Sequence, residues 1–161
     1  MDDGLRRQLV NGLRGGDAHQ DWEAAAADFP DWAINARPPN VPYSPWHLLE
    51  HVRLTQRDIL DYIRDPGYVA PDWPADYWPD ANATTTAEGF SASLAAFVAD
   101  RQALEAIIVD PATDLHAPLT NGPRHTVLRE VRVVANHNSY HVGEFGILRQ
   151  IMGSWGRRGE S

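Results

Sequence analysis

The sequence predicts an all-α fold, a single four-helix bundle over residues 1–155. Four stretches carry apolar residues at helical spacing, residues 65–85 form one long irregular connection between the second and third main helices, and no stretch alternates like a strand. A chain of 161 residues is the size of one domain and can bury a core without disulfides. Residues 156–161 are expected to form a disordered tail.

The N-terminal part predicts two short helical pieces. Three leucines at four-residue spacing precede the glycine pair at 15–16, which indicates a short amphipathic helix that the glycines interrupt. Asp17 is expected to cap a second piece over residues 18–28, because aspartate accepts hydrogen bonds from free N–H groups at helix starts. Pro30 closes this piece.

The second main helix is predicted to start after Ser44-Pro45 and to end at Pro66-Gly67. Serine caps helix N-termini and proline is tolerated at the first helical position, whereas a Pro-Gly pair does not continue a helix. The connection that follows, residues 65–85, carries four prolines together with Trp73 and Trp78. Its large aromatic residues favour a loop that packs over the protein, near the candidate histidine site.

The third and last helices have clear boundary signals. A capping box over residues 85–88 opens the third helix, and Asp110-Pro111 closes it. The last helix is predicted to run from a Thr126 cap to Gly153, with Arg149 on its exposed side. Its apolar residues recur at spacings of three, four and seven, and they are Val127, Val131, Val134, Phe145, Leu148 and Met152.

Composition excludes several classes of protein. The formal net charge is -8, which argues against a nucleic-acid binder because phosphate contacts need clustered arginine and lysine. No apolar run is long enough to span a bilayer, and the charged start lacks the apolar core of a signal peptide. The chain has no cysteine, so it holds no thiolate nucleophile and no zinc–thiolate site. We therefore expect a cytoplasmic protein that contacts neither nucleic acid nor membrane.

Two histidine pairs at i, i+4 spacing are the candidate functional residues. His137 and His141 lie one turn apart in the last helix, so both imidazoles point the same way, as a pair of metal ligands does. His47 and His51 form a second pair in the second main helix. On a helical wheel His51 borders the apolar face, whereas His47 lies further toward solvent and is expected to be a spectator.

His51, His137 and His141 would together supply three nitrogen ligands from two helices. Three protein ligands leave positions for water or substrate, which is typical of a reactive metal site. Metal affinity is then expected to weaken below about pH 6.5, the ordinary pKa of histidine. On these residues alone, the alternative is that the rings are hydrogen-bonded core residues. Trp46, Trp73 and Trp78 are expected to serve in loop packing.

Two stretches of the chain resemble the DinB-like superfamily. They read YSPWHLLEHVRLTQRDIL and TVLREVRVVANHNSYHVGEFGILRQIMGSW, and the resemblance runs from about Gly16 to Trp155. It lies in an aromatic–serine pair followed seven residues later by His51, and in two histidines four residues apart followed by x-Gly. The resemblance implies a four-helix bundle, a homodimer, and a divalent metal, nickel or zinc, held by His51, His137 and His141.

The sequence departs from the pattern of this superfamily at two positions. Tyr43 stands where tryptophan is usual before the serine, and Glu144 stands where glutamine is frequent after the glycine. A carboxylate beside a metal site can orient a ligand or accept a proton. Glu144 is therefore the candidate catalytic residue.

The resemblance implies a function in small-molecule chemistry. Members of the superfamily include bacillithiol and mycothiol transferases and a mycothiol-dependent maleylpyruvate isomerase. We expect a metal-dependent hydrolase or thiol S-transferase with a small-molecule substrate, a low-molecular-weight thiol as a further cofactor, and a role in stress or detoxification. One alternative is a non-catalytic protein that holds a metal or ligand with the same three histidines. Another is a bundle whose histidines are structural.

Overall fold

The computed structural model describes residues 3–155, which contain six α-helices, one small hairpin and a 3₁₀ helix at Ala75–Tyr77. The α-helices and strands are α1 (Asp3–Arg14), α2 (Trp22–Ala26), α3 (Asp31–Ile34), α4 (Pro45–Arg64), α5 (Ala87–Val109), β1 (Pro118–Leu119), β2 (Gly122–Thr126) and α6 (Val127–Met152). Helices α1 and α4 each pack against both α5 and α6, so α1 and α4 lie at opposite corners of the bundle. The predicted all-α bundle is confirmed. The predicted tail, residues 156–161, lies outside the described residues.

Most of the predicted helix boundaries are confirmed by their caps. Ser44 accepts a hydrogen bond from the backbone N–H of His47, and Pro45 is the first residue of α4. Thr126 caps α6 through its side chain. Gly153 ends α6 in the left-handed region, at φ 64°, where a residue without Cβ has no steric penalty.

Two predicted caps were wrong, and the corresponding helices begin later. Thr86 rather than Thr85 caps α5, and Asp21 rather than Asp17 caps α2. Each side-chain oxygen accepts a backbone N–H three residues later, at 3.1 and 2.6 Å. Helix α2 is therefore shorter than the predicted piece over 18–28. More than one residue before it can cap a helix, and packing of the helix selects Asp21.

Helix α3 and the hairpin were not predicted from the sequence. Helix α3 has four residues and β1 has two, so neither is long enough to show a periodic pattern. The two strands pair antiparallel, with Pro118 opposite Thr126. Within residues 3–155, no helix is both long and apolar enough to cross a membrane.

The core consists of two apolar clusters with a polar layer between them along α4 and α6. The first cluster includes Trp22, Leu48, Val52, Phe97, Val142 and Phe145. The second includes Leu13, Ile59, Leu60, Leu104, Ile108 and Val134. In the layer between them, the Asn138 side-chain amide donates to Gln56 Oε1 at 3.0 Å, and Gln56 Nε2 donates to the carbonyl of Phe97 at 2.7 Å. These bonds satisfy amide groups that would otherwise be costly to bury, whereas Asn138 Oδ1 has no hydrogen-bond partner among the described residues.

Arg149 is buried, with 1% of its surface exposed, which corrects the prediction that it faces solvent. Its guanidinium donates to the carbonyls of Ala25, Ala27 and Ser154 at 2.6, 2.9 and 2.8 Å. The ring of Trp155 lies 4.0 Å from the guanidinium carbon. The helical wheel of α6 missed this because short α2 packs on a face that a plain four-helix bundle leaves open.

Candidate metal centre

Three imidazoles from two helices converge between α4 and α6. His51 on α4 and His137 and His141 on α6 each present one nitrogen, and these nitrogens all lie within 4.8 Å of one another. The Nε2 atoms of His51 and His137 are 3.2 Å apart. Two nitrogen ligands of a tetrahedral zinc ion are separated by about 3.3 Å. The structure thus brings together the three histidines that the sequence singled out.

In two of these rings, Nδ1, the nitrogen that points away from the cluster, is held by a hydrogen bond. His51 Nδ1 lies 2.8 Å from the carbonyl oxygen of Tyr77, which can only accept, so the ring proton is on Nδ1 and Nε2 is free. His141 Nδ1 lies 2.7 Å from Glu144 Oε2, which leaves its Nε2 for the cluster. His137 Nδ1 is buried and has no hydrogen-bond partner among the described residues. Carbonyl and carboxylate partners of this kind are typical of metal-binding histidines.

Burial keeps the three rings neutral. Desolvation, together with the neighbouring histidines, lowers the pKa of His137 to about 4 and of His141 to about 3. Desolvation also lowers the pKa of His51, against the opposing effect of the Tyr77 carbonyl. Metals bind imidazole only in its neutral form, so the rings are ready to bind at pH 7. Three neutral nitrogens facing one another fit a divalent cation.

Glu144 lies on the far side of the His141 ring from the cluster. One carboxylate oxygen contacts His141, and the other accepts a hydrogen bond from the hydroxyl of Tyr43. Burial raises the pKa of Glu144. The contact with Nδ1 holds the orientation of the His141 ring.

A sequence profile of the DinB superfamily matches residues 16–145 of the chain. The chain belongs to the DinB superfamily. The matched DinB segment contains all three clustered histidines and Glu144, and it confirms the family resemblance found in the sequence. Neither curated proteins nor solved structures include a significant match to this chain.

An aromatic cover surrounds the histidines of this DinB protein. Residues 65–86, which we name the roof loop, join α4 to α5 and place Trp78 on the cluster. The Trp78 ring stacks on His51 with centroids 3.9 Å apart and planes 5° from parallel. Tyr140, which is 72% exposed, meets His141 edge-on at 4.9 Å. The prediction gave Trp78 a packing role only. The one sequence feature that could have indicated the contact of Trp78 with the histidines is its position beside Tyr77 in an aromatic loop.

His47 does not belong to the cluster of this DinB protein, but it is buried, which corrects the prediction that it faces solvent. Only 3% of its surface is exposed. Its Nδ1 lies 2.7 Å from Ser44 Oγ, and its Nε2 lies 3.1 Å from the carbonyl of Asp80 in the roof loop. The roof loop covers the side of α4 that the wheel assigned to water.

Proposed function

We propose that this DinB protein is a metal-dependent enzyme of hydrolase or thiol S-transferase type. His51, His137 and His141 would hold a nickel or zinc ion, both of which accept neutral imidazole ligands. The observation that carries the proposal is the convergence of three neutral ring nitrogens from two helices. Three protein ligands leave room for a water molecule or a substrate.

Glu144 positions a metal-binding histidine in this proposal. When bound, a divalent cation lowers the pKa of a coordinated water or thiol, which supplies a nucleophile near neutral pH. Glu144 Oε2 keeps His141 oriented, and because the His141 ring lies between this carboxylate and the cluster, Glu144 supports a ligand instead of accepting the proton that the nucleophile loses. The hydroxyl of Tyr43 holds the other carboxylate oxygen in place.

The proposed substrates are a low-molecular-weight thiol and a small electrophile. The aromatic rings of Trp78 and Tyr140 beside the histidines offer apolar surface for a small organic molecule. We place the reaction in the cytoplasm, because thiols are kept reduced there. Consumption of electrophiles would serve a stress or detoxification role.

The test is a screen of metal-loaded, untagged protein for conjugation of thiols to epoxides and for ester and amide hydrolysis. We expect turnover that requires metal and is lost in His141→Ala, with Glu144→Gln slower because an amide holds the His141 ring less firmly than a carboxylate does. Stoichiometric metal without turnover on any thiol or ester would instead favour a non-catalytic metal-binding or ligand-binding protein.

We also propose a homodimer, on the basis of the DinB resemblance and of an apolar stripe on α6. The stripe consists of exposed side chains at helical spacing, namely Val133, Tyr140, Ile147 and Ile151. Light scattering of wild type at tens of micromolar, a concentration on the order of a weak dimer Kd, should give twice the monomer mass. Ile147→Asp should give the monomer. A monomeric wild type would overturn the proposal.

A further inference from the structure

The roof loop is held over the histidine cluster by few side chains. Most of its residues are exposed, and those at least half-buried between residues 66 and 80 are Tyr68, Pro71, Tyr77, Trp78 and Pro79. Contacts to Asn121 and Asn35 tie its two ends, near Asp65 and Thr85, and His47 and Arg37 contact the carbonyls of Asp80 and Ala81. The position of its central part therefore depends on the tyrosines and on Trp78.

Both tyrosine hydroxyls of the roof loop bind one carboxylate on α4. Tyr68 donates to Asp58 Oδ1 at 2.5 Å, and Tyr77 donates to Asp58 Oδ2 at 2.8 Å. Burial and the hydrogen bond to Asp58 raise the pKa of Tyr77 to about 12, and the same causes raise the pKa of Tyr68. Both hydroxyls therefore remain donors at any ordinary pH, and each oxygen of Asp58 is used.

Tyr77 connects Asp58 to a cluster histidine. Asp58 lies seven residues after His51 on α4, a rise of about 10 Å along the helix axis. The side chain of Tyr77 reaches Asp58, while its backbone carbonyl lies 2.8 Å from His51 Nδ1. The adjacent Trp78 ring stacks on the same imidazole. One residue thus joins a remote carboxylate to the ring that faces His137.

We propose that Asp58 is a positioning residue for the cluster: by holding Tyr68 and Tyr77, it fixes the carbonyl that keeps the proton of His51 on Nδ1. The Nε2 lone pair of His51 then faces the other histidines. Without this carboxylate, the Tyr77 side chain loses its anchor and its carbonyl is held less firmly, so His51 exchanges between its two tautomers. The consequence for metal affinity rests on the proposed metal site, whereas the consequence for the tautomer does not.

The tautomer is tested without metal. Long-range ¹H–¹⁵N correlation spectra of ¹⁵N-labelled apo protein distinguish protonated from unprotonated ring nitrogens, and a His51→Gln spectrum assigns the signals. We expect a single Nδ1-protonated form of His51 in wild type and averaged shifts in Asp58→Ala. Tyr77→Phe removes only a hydroxyl and should give the same change if Asp58→Ala folds poorly.

The matched control is Asp61→Ala. Asp61 lies on the same helix, and its carboxylate pairs with Arg64 at 2.8 Å at the surface rather than with the roof loop. This variant should give the wild-type spectrum. A His51 signal that is unchanged in both Asp58→Ala and Tyr77→Phe would overturn the inference, as would a wild type whose proton is on Nε2.

Zinc affinity at pH 7.5, from competition with a chelator, gives the second readout. We expect Asp58→Ala to bind Zn²⁺ about tenfold more weakly than wild type, at the low end of the effect of partners that hold metal-binding histidines. Asp61→Ala should match wild type. If Asp58→Ala changes the tautomer but binds zinc as tightly as wild type, Asp58 does not position the site. If wild type binds no zinc, the proposed function fails, and the tautomer comparison still decides the role of Asp58.

Discussion

The hydroxyl of Tyr43 donates a hydrogen bond to the carboxylate of Glu144, whose other oxygen contacts Nδ1 of His141. Tyr43 and Glu144 are the two positions at which the sequence departs from the DinB pattern, and they lie 101 residues apart. The two departures therefore form one contact. Because both carboxylate oxygens are used, Glu144 is fixed in the orientation that holds His141.

We expect Glu144→Ala to weaken zinc binding by roughly 10–100-fold, the usual effect of removing a partner of a metal-binding histidine. Glu144→Gln should lose less zinc affinity than Glu144→Ala, because an amide oxygen still accepts a hydrogen bond from His141 Nδ1. Competition titrations with a chelator measure both. Gln150→Ala, at an exposed position of α6, is the control. Wild-type affinity in Glu144→Ala would show that the carboxylate does not support the ligand.

Zinc affinity should resist acid to a lower pH than free histidine predicts. Protons compete with metal at the pKa of the folded rings, and burial places these at about 4 for His137 and about 3 for His141. Because both values lie below the ordinary 6.5, and burial lowers the pKa of His51 as well, we expect affinity to fall only at a lower pH than it would for free histidine. Titrations at each pH provide the test. A steep loss between pH 7 and 6 would mean that the rings are solvated.

His47→Ala and His51→Ala form a matched pair on α4. His51 faces the cluster, whereas both ring nitrogens of His47 contact Ser44 and Asp80. We expect His51→Ala to lose bound metal. His47→Ala should keep it and should instead lower the melting temperature, because the buried His47 ring and its contacts with Ser44 and Asp80 are lost. Equal loss of metal in both variants would mean that the assignment of ligands on α4 is wrong.

Arg149→Met should lower the free energy of unfolding by about 2–4 kcal/mol, since three carbonyls lose a charged donor inside the protein. For a domain of this size, that corresponds to a melting temperature lower by on the order of 10 °C. Thermal unfolding followed by circular dichroism measures it. The exposed Arg132→Met is the control. Equal melting curves for the two variants would show that the carbonyls do not need Arg149.

The sequence singled out the three clustered histidines because their arrangement is local. A spacing of four residues fixes the direction of His137 and His141 on one helix, and the apolar face of α4 separates His51 from His47. The cap at Thr126 and the stop at Gly153 are likewise set by neighbouring residues. Features of this kind can be predicted without knowing which segments pack on the helix.

The remaining features depend on segments that join the helices. The burial of His47 and the stacking of Trp78 follow from the path of the roof loop, and the burial of Arg149 follows from α2. A helical wheel gives the face of the helix on which a residue lies, but it does not show which loop covers that face. The link from Asp58 through Tyr77 to His51 has no sequence signature for the same reason.

The most direct test of the central claim is metal content combined with thermal unfolding, with and without a chelator, for untagged protein at pH 7.5. Metal that binds only the folded state stabilises it, so chelation should lower the melting temperature of wild type. It should have little effect on His141→Ala, which lacks one of the three ligands. We expect about one divalent ion per wild-type chain, because one cluster of three histidines would hold one ion. Substoichiometric metal together with an unchanged wild-type melting curve would contradict the metal site and the function built on it.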